Sequence, residues 1–228
     1  MPIVELEKSH RALVGAAAKL YRENPLWPRK SLVVKMVSRL NLTYLGHGQE
    51  CVVTESENHP NFVVAIHCGG LSATEAKLAY HSQRIMTVLF PHNFPRFVAV
   101  FGKHPEKEGS SYGFSYREEI AGKNPKGEGY AGLDKQSTYP FKKVIQTIEE
   151  LDLPIEFDRF KNNYRLGPDN GVYYLDTSFI YWFDCEGELD QRILLYMEEN
   201  QYSKSDISVV GNSIERVKTL TKQIWKPR

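Results

Sequence analysis

The chain has 228 residues, and its 29 lysine and arginine residues against 28 aspartate and glutamate residues give a formal net charge of +1 at pH 7. This near balance argues against nucleic acid as a partner, because nucleic-acid binding depends on a strong positive field. The three cysteines lack the spacing of a zinc site or a disulfide framework, so we expect a reducing compartment. The sequence has neither an apolar run long enough to cross a bilayer nor an ordinary cleavable signal, so we expect no membrane insertion.

The first half of the chain contains both predicted helices and predicted strands. The helices are indicated by apolar residues at helical spacing, and the strands by β-rich runs around polar turns. The predicted helices cover 3–22, 31–40 and 72–89, the last with Ser72 or Thr74 as its cap, and the predicted strands lie within 43–65, folded around a polar turn at 55–61, and at 96–102 and 112–119. Several strands around a single helix favour an antiparallel sheet crossed by one helix over a doubly wound fold. We therefore expect an N-terminal domain over 1–120.

The second half begins with a segment at 121–136 that is rich in glycine and charge, which is typical of a domain boundary. A helix over 138–151, a tight hairpin turn at 167–171 between two short strands, and helices near 187–200 and 212–225 follow. The expected fold class is α+β, with a mostly helical second domain over 121–228.

A glycine-rich run precedes the strand that contains Val53. Gly46 and Gly48 flank His47, and Gln49 follows. Glycines at such a position permit turns and close packing, and they also allow backbone N–H groups to approach a polyphosphate. Both interpretations stay open from these residues alone.

Two polar residues of the second half, Asn163 and Asp176, form a candidate metal site. Asp158 and Asn163 are five positions apart, and the turn at 167–171 would return Asp176 beside Asn163. An amide oxygen and a carboxylate would then face one cation. Mg²⁺ suits such a site, because it takes one or two protein oxygens together with water and phosphate oxygens.

The order and spacing of these residues resemble those of protein kinases. The run LGHGQECVV is similar to the glycine-rich loop GxGxxGxV, with Cys51 in the place of the third glycine, and VAIH, which ends at His67, is similar to VAIK. Asp158 and Asn163 have the spacing of HRDxxxxN, and Asp176 stands where kinases have the DFG aspartate. The chain resembles most the small, divergent kinase-like proteins that some bacteria use as effectors or toxins.

The resemblance implies a two-lobe fold, with an antiparallel sheet and one helix in the N-lobe and a reduced, mostly helical C-lobe. It also implies roles for individual residues. Asp158 would be the catalytic base, and Asn163 and Asp176 would hold the metal. The nucleotide-binding residues would be Gly46, His47, Gly48, Gln49, Val53, Ala65, His67, Glu75, Glu118 and Ile120, with His67 and Glu75 positioning the phosphates and Glu118 and Ile120 at the adenine-binding hinge.

The implied activity is ATP- and Mg²⁺-dependent transfer of a phosphoryl group to a hydroxyl, with a serine or threonine of a protein as the expected acceptor. Such a protein would act in the cytoplasm or after delivery into a host cytosol. A pseudokinase that only binds a partner, an AMP transferase and a small-molecule kinase are the alternatives, and His67 in place of the lysine favours the first of these. Nothing in the sequence indicates the oligomeric state. The scattered histidines do not have the spacing of a metal site, and no GxSxG motif indicates a serine hydrolase.

Overall fold

The structure is a computed structural model, and it describes residues 10–13, 16, 30–47, 51–67, 72–103, 111–122, 130–158, 163–176, 180 and 188–225. These residues fall into two compact units. The first lies within Met1–Lys77 and Phe97–Glu119, and the second within Leu78–Arg96 and Ile120–Arg228. The chain passes between the units after Lys77, Arg96 and Glu119, and Leu78–Arg96 groups with the second unit because its apolar side chains belong to the second core.

The first unit contains a five-stranded antiparallel sheet, which confirms the α+β class and the expected antiparallel pairing. The elements of this unit are α1 (Lys30–Arg39), β1 (Tyr44–His47), β2 (Cys51–Glu55), β3 (Phe62–His67), β4 (Phe97–Lys103) and β5 (Ser111–Glu118). The spatial order of the strands in the sheet is β1-β2-β3-β5-β4.

One face of the sheet is apolar because side chains alternate along each strand. Val52, Val64 and Ile66 lie on this face and pack with Val33 and Val37 of α1 in one buried cluster. The predicted helix at 31–40 and the predicted strands and turn are thus present. Of the predicted helix at 3–22, the structure describes residues 10–13 and 16, which are helical.

Helix α2 (Ala73–Leu89) confirms the prediction for 72–89, and it begins with a reciprocal pair of hydrogen bonds. The Ser72 hydroxyl accepts from the Glu75 backbone N–H at 3.2 Å, and the Glu75 carboxylate accepts from the Ser72 N–H at 2.7 Å. This is a capping box, which satisfies N–H groups that have no partner inside the helix. Ser72, rather than Thr74, is the cap.

The second unit contains the end of α2, a two-stranded antiparallel hairpin and four further helices among its described residues. These elements are α3 (Ala131–Asp134), α4 (Phe141–Leu151), β6 (Tyr164–Leu166), β7 (Val172–Tyr174), α5 (Leu189–Glu199) and α6 (Lys204–Ile224). Helix α6 begins eight residues before the predicted position 212. The Ser203 hydroxyl accepts from the Asp206 N–H, so the polar run SKSD is the capped first turn of the helix and not a loop.

Aromatic rings form the centre of the second unit's core. Phe141 lies at ring-centroid distances of 5.1 Å from Phe157, 5.2 Å from Tyr164 and 5.9 Å from Tyr174, and Tyr174 is 2% exposed. Tilted and edge-to-face ring pairs of this kind stabilise beyond the area that they bury. The rings lie beneath the hairpin and fix it to α4.

No helix in the described part of the chain is both long and apolar enough to span a membrane.

Candidate functional site

The β6–β7 hairpin brings Asn163 and Asp176 together at its open end. Tyr164 pairs with Tyr174, and beyond that pair the Leu175 N–H donates to the Asn163 carbonyl at 2.7 Å. The Asn163 Nδ2 atom lies 3.5 Å from Asp176 Oδ2. Two side chains that are 13 positions apart in sequence therefore converge where the predicted metal site requires them.

The turn that closes the hairpin explains why the two strands return in this register. Asn170 has a φ of 59°, in the left-handed region that asparagine tolerates, and a methyl group at Gly171 would lie 2.1 Å from the His92 carbonyl oxygen. The Asp169 carboxylate accepts hydrogen bonds from the Gly171 N–H at 3.1 Å and the Tyr173 hydroxyl at 3.0 Å, and it lies 2.8 Å from His92 Nδ1. Although burial acts to raise it, these hydrogen bonds hold the pKa of Asp169 below its usual value.

The third predicted residue, Asp158, is tied to the same hairpin through its backbone. Its N–H donates to the Tyr174 hydroxyl at 3.1 Å, and Tyr174 lies two positions before Asp176. The Asp158 side chain is exposed. Residues 159–162, between Asp158 and Asn163, lie outside the described residues.

Tyr174 is a positioning residue that the sequence analysis did not identify. Its ring is buried among the aromatic side chains of the core, while its hydroxyl reaches the segment that contains Asp158. In sequence it reads as an ordinary apolar residue of a short strand. The one available signal is its place in the sequence, two residues before Asp176.

The oxygen atoms of Asn163 and Asp176 fit a hard divalent cation such as Mg²⁺. Asp176 is exposed and Asn163 is half-buried, so the pair is accessible to a ligand. The amide nitrogen of Asn163 faces the carboxylate, and a half-turn of the amide would present Oδ1 in its place. Among the described residues no group of three or more His, Cys, Asp or Glu side chains could hold a metal.

The predicted phosphate-covering segment lies on β1 and β2 of the first unit. Gly46 pairs with Val53, and a methyl group at Gly46 would meet no atom within 4 Å. The φ of Gly46 also lies outside the left-handed region, so neither crowding nor backbone strain accounts for glycine here. Gly48 and Gln49 lie outside the described residues, as does the side chain of His47.

Val53 and Ala65 are direct partners across β2 and β3. They lie on the face of the sheet opposite to Val52, Val64 and α1, because successive side chains alternate between faces. Val53 is half-buried and Ala65 is 1% exposed. The two predicted nucleotide-binding residues are therefore neighbours, although Ala65 itself offers almost no open surface.

The predicted pair of His67 and Glu75 stays a prediction. His67 ends β3 opposite Cys51, and its side chain lies outside the described residues. The Glu75 carboxylate accepts from the Ser72 N–H in the capping box of α2. Glu75 thus has a structural partner at the start of its own helix.

The predicted hinge residues lie at the end of β5 and just beyond it. Glu118 is the last residue of β5 and pairs with Phe62 of β3. The Ile120 carbonyl accepts a hydrogen bond from the Arg165 guanidinium at 2.8 Å, and a methyl group at Gly122 would lie 1.9 Å from the Leu166 carbonyl oxygen. Residues 120–122 are therefore packed closely against β6.

Neither a scan against protein-family models nor a search of curated proteins finds a match to this chain.

Proposed function

We propose that this protein is a kinase-like phosphotransferase that uses ATP and Mg²⁺ to phosphorylate a hydroxyl group, with serine or threonine of a protein as the acceptor. The observation that carries the proposal is the 3.5 Å approach of Asn163 and Asp176 at the open end of a hairpin to which Asp158 is also tied. The two-lobe arrangement of a kinase is part of the same proposal.

Each of the three residues has a role that suits its chemistry. The Asp158 carboxylate is exposed, as a base that accepts a proton from an incoming hydroxyl must be. Asn163 and Asp176 would hold the metal through one amide oxygen and one carboxylate. Bound Mg²⁺ would offset the negative charge of the nucleotide phosphates. Tyr174 holds the Asp158 backbone in place.

The absence of a packing reason for Gly46 supports a ligand role for the β1–β2 hairpin. Neither a neighbouring atom nor backbone strain requires glycine at position 46. The missing side chain therefore matters mainly because it lets a ligand approach the backbone closely. A polyphosphate that binds backbone N–H groups is such a ligand.

The test is ATP turnover in the presence of Mg²⁺ by the parent chain and by Asp176→Asn. The substitution retains the side-chain shape and removes the negative charge, so we expect turnover to fall on the order of 100-fold or more. Asp152→Asn is the matched control, because Asp152 is an exposed aspartate with a φ of 53°, a conformation that asparagine also adopts readily. Turnover by Asp176→Asn at the level of the control would refute the assignment.

The same reactions, analysed by mass spectrometry with labelled ATP, identify the group transferred. A phosphate added to a protein acceptor agrees with the proposal. If AMP is added to the acceptor, or if only a small molecule is modified, the proposed nucleotide site would stand but the proposed reaction would be wrong.

A pseudokinase is the second candidate, and the capping box of α2 favours it. The Glu75 carboxylate is bonded to the Ser72 N–H, and a catalytic role would require it to pair with the phosphate-binding residue of β3, which is a histidine here. A thermal-shift titration separates the candidates. Stabilisation that grows with ATP and Mg²⁺ indicates a nucleotide-binding native state, and no shift at high concentration would favour a partner-binding scaffold.

A further inference from the structure

A cavity of about 430 Å³ lies between helices α2 and α6 of the second unit, apart from Asp158, Asn163 and Asp176. Its volume falls within the range of small-molecule sites. Its lining is mostly polar or charged, and the residues that matter here are His81 and Arg84 of α2 and Asn212, Glu215 and Arg216 of α6. The two helices thus place two arginines and a histidine around one space.

The described residues leave the two arginines of this cavity without an ionic partner. Within the described part of the chain, the guanidinium groups of Arg84 and Arg216 make no hydrogen bond or salt bridge, and both residues are exposed at the mouth. The one carboxylate of the lining, Glu215, lies 3.4 Å from the Lys218 ammonium, which also pairs with Asp190 at 2.6 Å. The guanidinium groups of Arg84 and Arg216 are therefore available to a ligand.

His81 adds an unsatisfied polar atom. Its Nδ1 atom is inaccessible to solvent and has no hydrogen-bond partner, which is uncommon for a buried ring nitrogen. His81 itself lines the cavity and is only partly buried, so the accessible part of its ring can face a ligand there. Its ring packs edge-on against Tyr80 at 5.0 Å, so its orientation is restricted.

We propose that the cavity between α2 and α6 binds a phosphate group, held by the guanidinium groups of Arg84 and Arg216 and by the imidazole of His81. Planar guanidinium groups bind phosphate oxygens through two parallel hydrogen bonds, and an N–H donor from the imidazole complements them. The Asn212 amide supplies a further donor at the same wall.

Electrostatics agrees with an anion as the occupant. Burial together with the charges of Arg84 and Arg216 lowers the pKa of His81 to about 4. A phosphate dianion would offset both arginines and would favour protonation of the ring, so binding should raise the pKa of His81. The other charged residue of the lining is Glu215, which lies 3.4 Å from the Lys218 ammonium, and Lys218 also pairs with Asp190 at 2.6 Å.

The test follows the His81 ring by NMR while inorganic phosphate is added without divalent metal, against chloride at equal ionic strength. We expect a saturable change of the His81 signals and a raised pKa in phosphate only. The double variant Arg84→Gln/Arg216→Gln should bind about 10- to 100-fold more weakly. Arg192→Gln on α5 is the matched control, because this arginine is half-exposed and lies away from the cavity, with a 3.7 Å contact to Asp152.

A parallel titration with O-phosphoserine distinguishes a free phosphate from a phosphorylated side chain. Tighter binding of O-phosphoserine assigns the site to phosphate monoesters, and tighter binding of inorganic phosphate assigns it to the free ion. An equal response of the His81 signals in the parent, the double variant and the Arg192→Gln control, or an equal response to chloride, would overturn the proposal. Circular dichroism of the double variant verifies that the fold is retained, and loss of binding with the fold intact supports the site.

Discussion

Acidification should destabilise the second unit through His81. The pKa of this imidazole is lowered from 6.5 to about 4, with burial as the largest cause and Arg84 and Arg216 as the next. As pH falls from 6.5 towards 4, the unfolded chain takes up a proton that the folded chain does not bind, so stability decreases across this window. Well above pH 6.5 the ring is neutral in both states and contributes no pH dependence.

The size of the effect follows from the two pKa values. At pH 5 the unfolded imidazole is almost fully protonated and the folded one is about one-tenth protonated, which corresponds to about 2 kcal/mol of lost stability relative to neutral pH. For a domain of this size that is a large part of a total of about 5–15 kcal/mol. His81→Gln removes the titrating group and retains a polar side chain at the cavity.

The assay is urea unfolding of the parent and of His81→Gln at pH 7.5 and pH 5.0, without phosphate. Between the two pH values, the parent should lose about 2 kcal/mol more than the variant. Other groups titrate equally in both proteins and cancel in this difference. Identical pH dependence in the two proteins would show that His81 is protonated as easily in the folded state as in the unfolded state, and the reasoning would be wrong.

Two further predictions concern the elements that support the hairpin. The Asp134 carboxylate accepts hydrogen bonds from the N–H groups of Phe141 at 2.7 Å and Lys142 at 2.9 Å, so it caps α4, whose N-cap residue Pro140 makes no side-chain hydrogen bond. Asp134→Ala should therefore lower the free energy of unfolding by about 1–2 kcal/mol in urea unfolding. Lys135→Ala, at the exposed neighbouring residue, is the control and should change it little. The buried Asn93 amide donates to the carbonyls of Tyr139 and Val172, both at 2.9 Å, so Asn93→Ala should cost about 2–3 kcal/mol. Its control is Asn200→Ala, which removes an exposed amide with one hydrogen bond, and a similar loss in both variants would contradict the importance of burial at Asn93.

Local patterns were sufficient to predict most elements of the fold. The strands of the sheet are runs of residues that favour β-structure, and they are bounded by polar segments that contain glycine, asparagine or proline, so strand propensity and turn chemistry agree. The start of α6 was wrong by eight residues, because a polar run that begins with Ser203 resembles a loop until its capping hydrogen bond is seen.

The convergence of Asn163 with Asp176 was predictable because only a short hairpin separates them, and a hairpin returns the chain beside its start. The role of Tyr174 was not, since nothing in its neighbours indicates which atom its hydroxyl reaches. The cavity between α2 and α6 was also invisible in the sequence. Arg84 and Arg216 are far apart along the chain and each occupies the polar side of an amphipathic helix, where an exposed charge is ordinary.

The tether of Asp158 has a consequence for how this segment tolerates sequence change. Because the Tyr174 hydroxyl accepts from the main-chain amide at position 158, every amino acid except proline can make the same bond. A change of the Asp158 side chain therefore need not disturb the hydrogen bond that holds the backbone at this position. Under the proposed function, a lineage could exchange the aspartate and lose the catalytic base while the backbone at position 158 kept its hydrogen bond, which is a short evolutionary step between an enzyme and a binding protein.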